Sequence, residues 1–176
     1  MITLITGGAR SGKSAYAESR AKDYESVLYI ATAQAGGDEE MIRRIEAHKS
    51  RRPASWRTAE RDRDLAAVIE GEDAALLDCV TVMISNYLWK YSDGDDVIDE
   101  EKIEGLCMDE LRDLIAAARR ASCDLFIVTN EVGSGIVPMH PVSRAFRDIQ
   151  GRVNQRLAQA ADEVYACISG IPVKIK

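Results

Sequence analysis

The sequence predicts an α/β fold, a mostly parallel sheet with helices on both faces. Three observations carry that prediction. Short apolar runs alternate with segments of helical period. The runs are almost continuously apolar, which marks strands covered on both sides. A glycine-rich stretch, GGARSGKS, joins the first run to the first helical segment.

The expected strands are ITLIT (2–6), SVLYIAT (26–32), AALLDC (74–79), DLFIVTN (124–130) and EVYACIS (163–169). Between them lie helical segments near 13–23, 38–51, 60–70, 80–91, 99–121 and 141–161. In the last of these, Phe146, Ile149, Val153, Leu157 and Ala160 or Ala161 fall on one stripe. Arg144, Arg147, Gly151, Asn154 and Gln155 fall on another. The acidic SDGDDVIDEE (92–101) reads as a solvated loop leading into a helix. The closing IPVKIK alternates apolar with basic and is expected as an edge strand; an antiparallel return through a turn at Gly170 fits it. Alternating βα units imply right-handed crossovers, with ligands beyond the carboxyl ends of the strands.

A chain of 176 residues, 46% hydrophobic and 30% charged, is expected to be one domain, 1–176, with a proper core. Its 23 basic and 29 acidic side chains give a net charge of −6, so no overall field draws it to nucleic acid or an anionic membrane. An anionic ligand needs a local site. Cys79, Cys107, Cys123 and Cys167 form no C-x-x-C pair and have no histidine at metal-ligand spacing. Reduced thiols, the absence of a basic leader and the lack of an apolar run near the roughly eighteen residues of a membrane span lead to a cytoplasmic expectation.

GGARSGKS matches G-x-x-x-x-G-K-[ST] at every fixed position, after a strand and at the opening of a helix. Gly7, Gly8, Ala9, Arg10, Ser11, Gly12, Lys13 and Ser14 are therefore the expected cradle of a nucleotide triphosphate, in a P-loop NTPase fold of RecA-like type. The glycines let backbone N–H groups turn inward as an anion nest at a helix N-terminus. Lys13 would meet the outer phosphates, and the Ser14 hydroxyl would face Mg²⁺. Asp78, ending AALLD, is the candidate second metal-side group; the competing reading is a cap for the following helix.

The chain has two histidines. His140, between prolines in PMHP, reads as an exposed loop residue. His48 shares a helix face with Met41 and Ile45 at i, i+4 and i+7, beside Lys49, Arg51 and Arg52. One reading is a histidine placed against the C-terminal end of a helix dipole. The other is a nucleophile. A neutral imidazole can attack an α-phosphate and carry a nucleotidyl group, with nearby cations favouring the neutral ring and the developing phosphoryl charge.

Over nearly its full length the chain resembles the bifunctional adenosylcobinamide kinase/adenosylcobinamide-phosphate guanylyltransferase family. The resemblance lies in TGGARSGKS, YIATAQ (29–34), RIEAHKSRRPASWRTAE (44–60), LLDCVTVMISN (76–86), VTNEVGSGIVP (128–138), FRDIQGRVNQRLAQAADEV (146–164) and SGIPVKIK. It implies phosphorylation of adenosylcobinamide by a nucleoside triphosphate, ATP or GTP. Transfer of GMP from GTP to adenosylcobinamide phosphate follows, through a guanylylated His48. It further implies that Ala31, Thr32, Ala33, the stretch His48, Lys49, Ser50 and Arg51, Glu60 and Asp78 join the loop around the nucleotide. Some relatives carry a second histidine where this chain has Ala47, and some have Glu in place of Asp78. No N-K-x-D pattern selects guanine here, so guanine comes from the resemblance alone. The family pattern also implies a homotrimer, with NEVGSGIVP and the polar stripe of 144–155 near subunit contacts.

Overall fold

The computed structural model describes residues 1–33, 42, 46, 49, 52–92 and 98–176. Strands β1 (Ile2–Gly7), β2 (Val27–Ala31), β3 (Arg57–Glu60), β4 (Ala74–Asp78), β5 (Asp124–Asn130), β6 (Glu163–Ile168) and β7 (Ile171–Lys174) form one sheet in the order β3-β2-β4-β5-β1-β6-β7. All neighbours are parallel except β6 and β7, which return antiparallel through the turn at Gly170. The helices are α1 (Lys13–Ala21), α2 (Val80–Tyr91), α3 (Glu100–Arg120) and α4 (Pro141–Ala160). No helix among the described residues is long and apolar enough to cross a membrane.

The continuous apolar runs have a direct cause. Leu28, Ile30, Ala75, Leu77, Leu125 and Ile127 point to one face and pack with α2, α3 and α4. Their neighbours Val27, Tyr29, Ala74, Leu76, Phe126 and Val128 point to the other and pack with α1 and Trp56. Period-two alternation is hidden because both faces are dry. Each fully buried Leu, Ile or Phe contributes roughly 1.5–3 kcal/mol of transfer free energy. Cys107, Cys123 and Cys167 are buried in these layers and Cys79 is half-buried, all as free thiols.

One expected element is corrected. The segment 60–70 is not an α-helix: residues 57–60 are the edge strand β3, and only a 3-10 turn, Leu65–Val68, follows. Two groups explain the change. Asp64 takes a positive φ of 52°, which breaks a right-handed helix, and Glu110 of α3 accepts from the backbone N–H of Leu65 at 2.7 Å and of Asp64 at 3.1 Å. Arg57 opens β3 and donates through Nε to Glu72 at 2.7 Å; a second Arg57 nitrogen reaches the same carboxylate and the Val68 carbonyl. The helical expectation for 38–51 lies outside the described residues, apart from Ile42, Glu46 and Lys49, which are helical. Residues 93–97 of the acidic loop of 92–101 are likewise outside them; Asp99 caps α3 by accepting from the Lys102 N–H at 3.0 Å.

The Glu72 carboxyl gives a test of how β3 is held. Burial raises its pKa, but the Glu70 backbone N–H and the Arg57 guanidinium outweigh that and hold it below the usual range. A depressed folded pKa stabilises above the unfolded value of about 4.3 and loses that contribution as pH falls through the folded value. Glu72→Gln is expected to cost about 1–3 kcal/mol at neutral pH, with the deficit shrinking in acid below about pH 4. Urea unfolding of both proteins at several pH values reads this directly.

Candidate active site

The carboxyl ends of the strands bring the sequence-predicted groups to one edge of the sheet. Ala31 pairs in register with Glu60 of β3 on one side and Asp78 of β4 on the other. Gly7, ending β1, pairs with Asn130, ending β5, so β5 lies between the loop-bearing strand and the Asp78 strand. This is the edge at which open parallel sheets hold ligands.

The loop from β1 to α1 has a shape that only its glycines permit. A Cβ on Gly7 would lie 2.5 Å from the Ser11 Oγ and 2.6 Å from the Cys167 carbonyl oxygen. Gly12 has φ 89°, and a Cβ there would lie 3.0 Å from the Gly170 Cα. The Gly170 N–H donates to the Ser11 carbonyl at 2.9 Å, so the β6–β7 turn braces the loop from behind. Gly8, Ala9 and Arg10 are exposed, whereas Ser11 is buried and its hydroxyl has no partner among the described residues. Lys13 Nζ reaches across the loop to the Gly8 carbonyl at 3.1 Å. Gly12→Ala should weaken nucleotide binding at least ten-fold, because an alanine is strained at that φ and collides with Gly170. Equilibrium titration with a fluorescent nucleotide checks this, with thermal unfolding to show the fold intact.

Ser14 and Asp78 meet at this edge. The Ser14 hydroxyl donates to Asp78 Oδ1 at 3.4 Å, and the Tyr29 hydroxyl donates to Asp78 Oδ2 at 2.6 Å. The N-cap of α2 is Cys79, whose own side chain makes no capping bond. A hydroxyl beside a carboxylate is a hard-oxygen donor set that suits Mg²⁺. No group of three or more His, Cys, Asp or Glu that could hold a metal occurs among the described residues. Two protein oxygens fit an ion whose remaining ligands are waters and phosphate oxygens.

The segment after β2 is fixed from beneath. Thr32 is fully buried; its hydroxyl donates to the Cys79 carbonyl at 2.8 Å and accepts from the Cys79 N–H at 2.9 Å. Asn86 of α2 donates to the Thr32 carbonyl at 3.0 Å. Thr32 therefore ties β2 to β4 at the site, between half-buried Ala31 and Ala33. Burial, then the neighbouring Asp78 charge, pushes the Cys79 thiol up to about 11.

Beside these residues lies an open cleft of about 670 Å³, lined by Lys49, Arg52, Pro53, Ala54, Trp56, Thr58 and Glu60. Lys49 Nζ and exposed Glu60 form an ion pair across it at 2.5 Å. His48, Ser50 and Arg51 lie outside the described residues. His140 is exposed, at the N-cap of α4.

Several groups that shape the site carry no motif. Tyr29, Arg52 and Trp56 stack beside Asp78: the Arg52 guanidinium lies 3.3 Å from the Tyr29 ring centroid, and Trp56 stacks at 6.5 Å and 27°. On the other side of the loop, fully buried Gln150 donates to the Thr129 hydroxyl and to Asn154, each at 2.9 Å. Asn154 in turn donates to the Asn130 carbonyl at 2.9 Å. Asn154 thus points toward the end of β5, away from the outer polar stripe expected for it. The Glu131 N–H donates to the Gly7 carbonyl at 3.1 Å, which fixes the start of NEVGSGIVP against the Gly7–Ser14 loop.

The whole chain can be compared with known proteins at this point. Residues 3–175 match the family model described as cobinamide kinase / cobinamide phosphate guanyltransferase. The chain is 51% identical over 182 residues to the bifunctional adenosylcobalamin biosynthesis protein CobU of Salmonella typhimurium, covering 100% of both. It is 50% identical over 183 residues to the protein of the same name from Escherichia coli, again with 100% of both covered. The bifunctional adenosylcobalamin biosynthesis protein CobP of Pseudomonas aeruginosa is 41% identical over 181 residues, covering 100% of this chain and 98% of that one. Among solved structures, the P4 protein from bacteriophage phi6 in complex with ADP has a TM-score of 0.43 at 12% identity, over 97% of this chain and 52% of that chain, too distant to bear on the argument. A match along the full length, over a strand edge that gathers the phosphate loop, Ser14 and Asp78, makes this chain an enzyme belonging to the cobinamide kinase / cobinamide phosphate guanyltransferase family.

Proposed function

We propose that the chain phosphorylates adenosylcobinamide with ATP or GTP, then transfers GMP from GTP to adenosylcobinamide phosphate by way of His48. The observation that carries this reading is the meeting of Lys13, Ser14 and Asp78 around the Gly7–Ser14 loop at the carboxyl edge of the sheet. In the first reaction the acceptor hydroxyl oxygen attacks the γ-phosphorus, the β–γ bridge bond breaks, and the hydroxyl proton is lost. In the second, an imidazole nitrogen of His48 attacks the α-phosphorus and pyrophosphate leaves. The acceptor's phosphate oxygen then attacks the same phosphorus, the P–N bond breaks, and the imidazole is restored.

The chain's own groups have distinct tasks. Backbone N–H groups of the loop bind and orient the triphosphate, and Lys13 sets a positive charge against its outer oxygens. Ser14 and Asp78 would hold Mg²⁺, which when bound neutralises charge on the phosphate oxygens. Lys49 and Glu60, with Arg52 and Trp56, line a cleft at the β3 edge of the sheet, which would take the base and ribose. Relatives named bifunctional at about half identity over the full length support both activities in one chain. The proposal includes a homotrimer, supported by the exposure of Ile136, Val137 and Met139, apolar side chains that a subunit contact would cover.

Incubation with α-labelled GTP tests the second reaction. The expected result is label on the protein that survives base and is released by acid, as a phosphoramidate is. Protein that binds GTP and phosphorylates adenosylcobinamide yet never takes up label would overturn the histidine route and leave a kinase with a structural His48.

A further inference from the structure

We propose that Tyr29 is a positioning residue for the Asp78 carboxylate, holding it at the metal side of the site while Arg52 clamps its ring. The inference rests on the metal role of Asp78 in the proposed function.

The geometry of the carboxylate is the first support. Asp78 Oδ1 accepts from Ser14 at 3.4 Å and Oδ2 from the Tyr29 hydroxyl at 2.6 Å. Bonds to both oxygens restrict the carboxyl group's rotation and leave Oδ1 on the Ser14 side. A hydrogen-bonded partner behind a ligating carboxylate is the arrangement that orients metal ligands. Tyr29 and Asp78 reach each other because of register: Tyr29 pairs with Leu76, Ala31 with Asp78, and residues two apart share a sheet face.

Tyr29 is also a rigid donor. It is 1% exposed, so its hydroxyl cannot exchange its partner for bulk water. The Tyr29 hydroxyl donates to the carboxylate at 2.6 Å from within the core.

The ring is held in turn by Arg52. The Arg52 guanidinium lies 3.3 Å from the ring centroid, and its Nε and Nη1 are buried without a hydrogen-bond partner among the described residues. Its buried charge thus rests on an aromatic face. The Arg52 N–H donates to the Lys49 carbonyl at 3.2 Å. One side chain thereby touches both the metal-side carboxylate and Arg52. A residue that served only the core would need the ring but not the hydroxyl.

Tyr29→Phe separates these roles because it keeps the ring and removes the bond. Mn²⁺ affinity is measured by electron paramagnetic resonance in the presence of a non-hydrolysable GTP analogue, for wild type, Tyr29→Phe, Asp78→Asn and the double variant. Tyr29→Phe is expected to weaken Mn²⁺ binding roughly 10–100-fold, the usual loss for such a partner. Metal-free affinity for the analogue should stay near wild type, and the thermal midpoint should fall by only a few degrees, the cost of one buried hydrogen bond. In the Asp78→Asn background the same change should add little. Wild-type Mn²⁺ affinity in Tyr29→Phe, or a loss that adds in full to that of Asp78→Asn, would overturn the inference while leaving the metal role of Asp78 standing. Unchanged affinity in Asp78→Asn would instead sink that role, and the inference with it.

Discussion

His48→Ala is expected to abolish covalent guanylylation and GMP transfer, by more than three orders of magnitude, while phosphorylation of adenosylcobinamide stays within a few-fold of wild type. Removing the attacking nitrogen removes the route, whereas the kinase reaction needs only the triphosphate and the acceptor hydroxyl. An imidazole with an ordinary pKa of about 6.5 is mostly neutral at pH 7. The measurement is paired, with α-label retained on the protein for one reaction and γ-label transferred to the acceptor for the other. Loss of both activities in a folded protein would mean that His48 also serves the kinase step.

Lys13→Ala should lower both reactions together, by about 10²–10³ in kcat, the usual effect of deleting one charged stabiliser of a developing oxyanion. The Nζ lies 3.1 Å from the Gly8 carbonyl, above the loop that would cradle the phosphates. Both reactions draw on the same triphosphate, so a single lost clamp misplaces it for either attack. Steady-state rates for each half-reaction, with nucleotide affinity measured separately, check this. A loss confined to one reaction would require two nucleotide sites in place of one.

The layered sheet was legible because its five central runs are apolar on both faces, and their boundaries fall within a residue or two of those expected. Strand β3 was not legible. RTAE carries a charge at each end, lies at the edge, and alternates half-buried with exposed positions, so it shows neither an apolar run nor a hydrophobic face. The run LAAV after it has helical composition, but the turn it forms is set by Glu110, more than forty residues away along the chain. Tertiary bonds of that kind leave no local trace.

The site divides the same way. GGARSGKS announces itself because backbone shape demands glycines at fixed spacing, and Asp78 followed from the need for a second oxygen beside Ser14. Tyr29 sits inside an apolar strand and reads as core. The available signal was indirect: a tyrosine among Val, Leu and Ile needs a partner for its hydroxyl, and the adjacent strand ends in an aspartate. Finding it required the pairing of β2 with β4, which the order of segments along the chain does not reveal. Asn154 misled in the opposite sense. It falls on the polar stripe of an amphipathic helix, yet with Gln150 it holds Thr129 and Asn130 beside the loop.

The contact between Gly12 and Gly170 joins two stretches separated by almost the whole polypeptide. The missing side chain of Gly12 lets main chain ride on main chain there, while a Cβ on Gly170 would meet nothing within 4 Å. The squeeze is therefore one-sided: the far hairpin is a wall against which the loop is shaped, and bulk is refused on the loop's side alone.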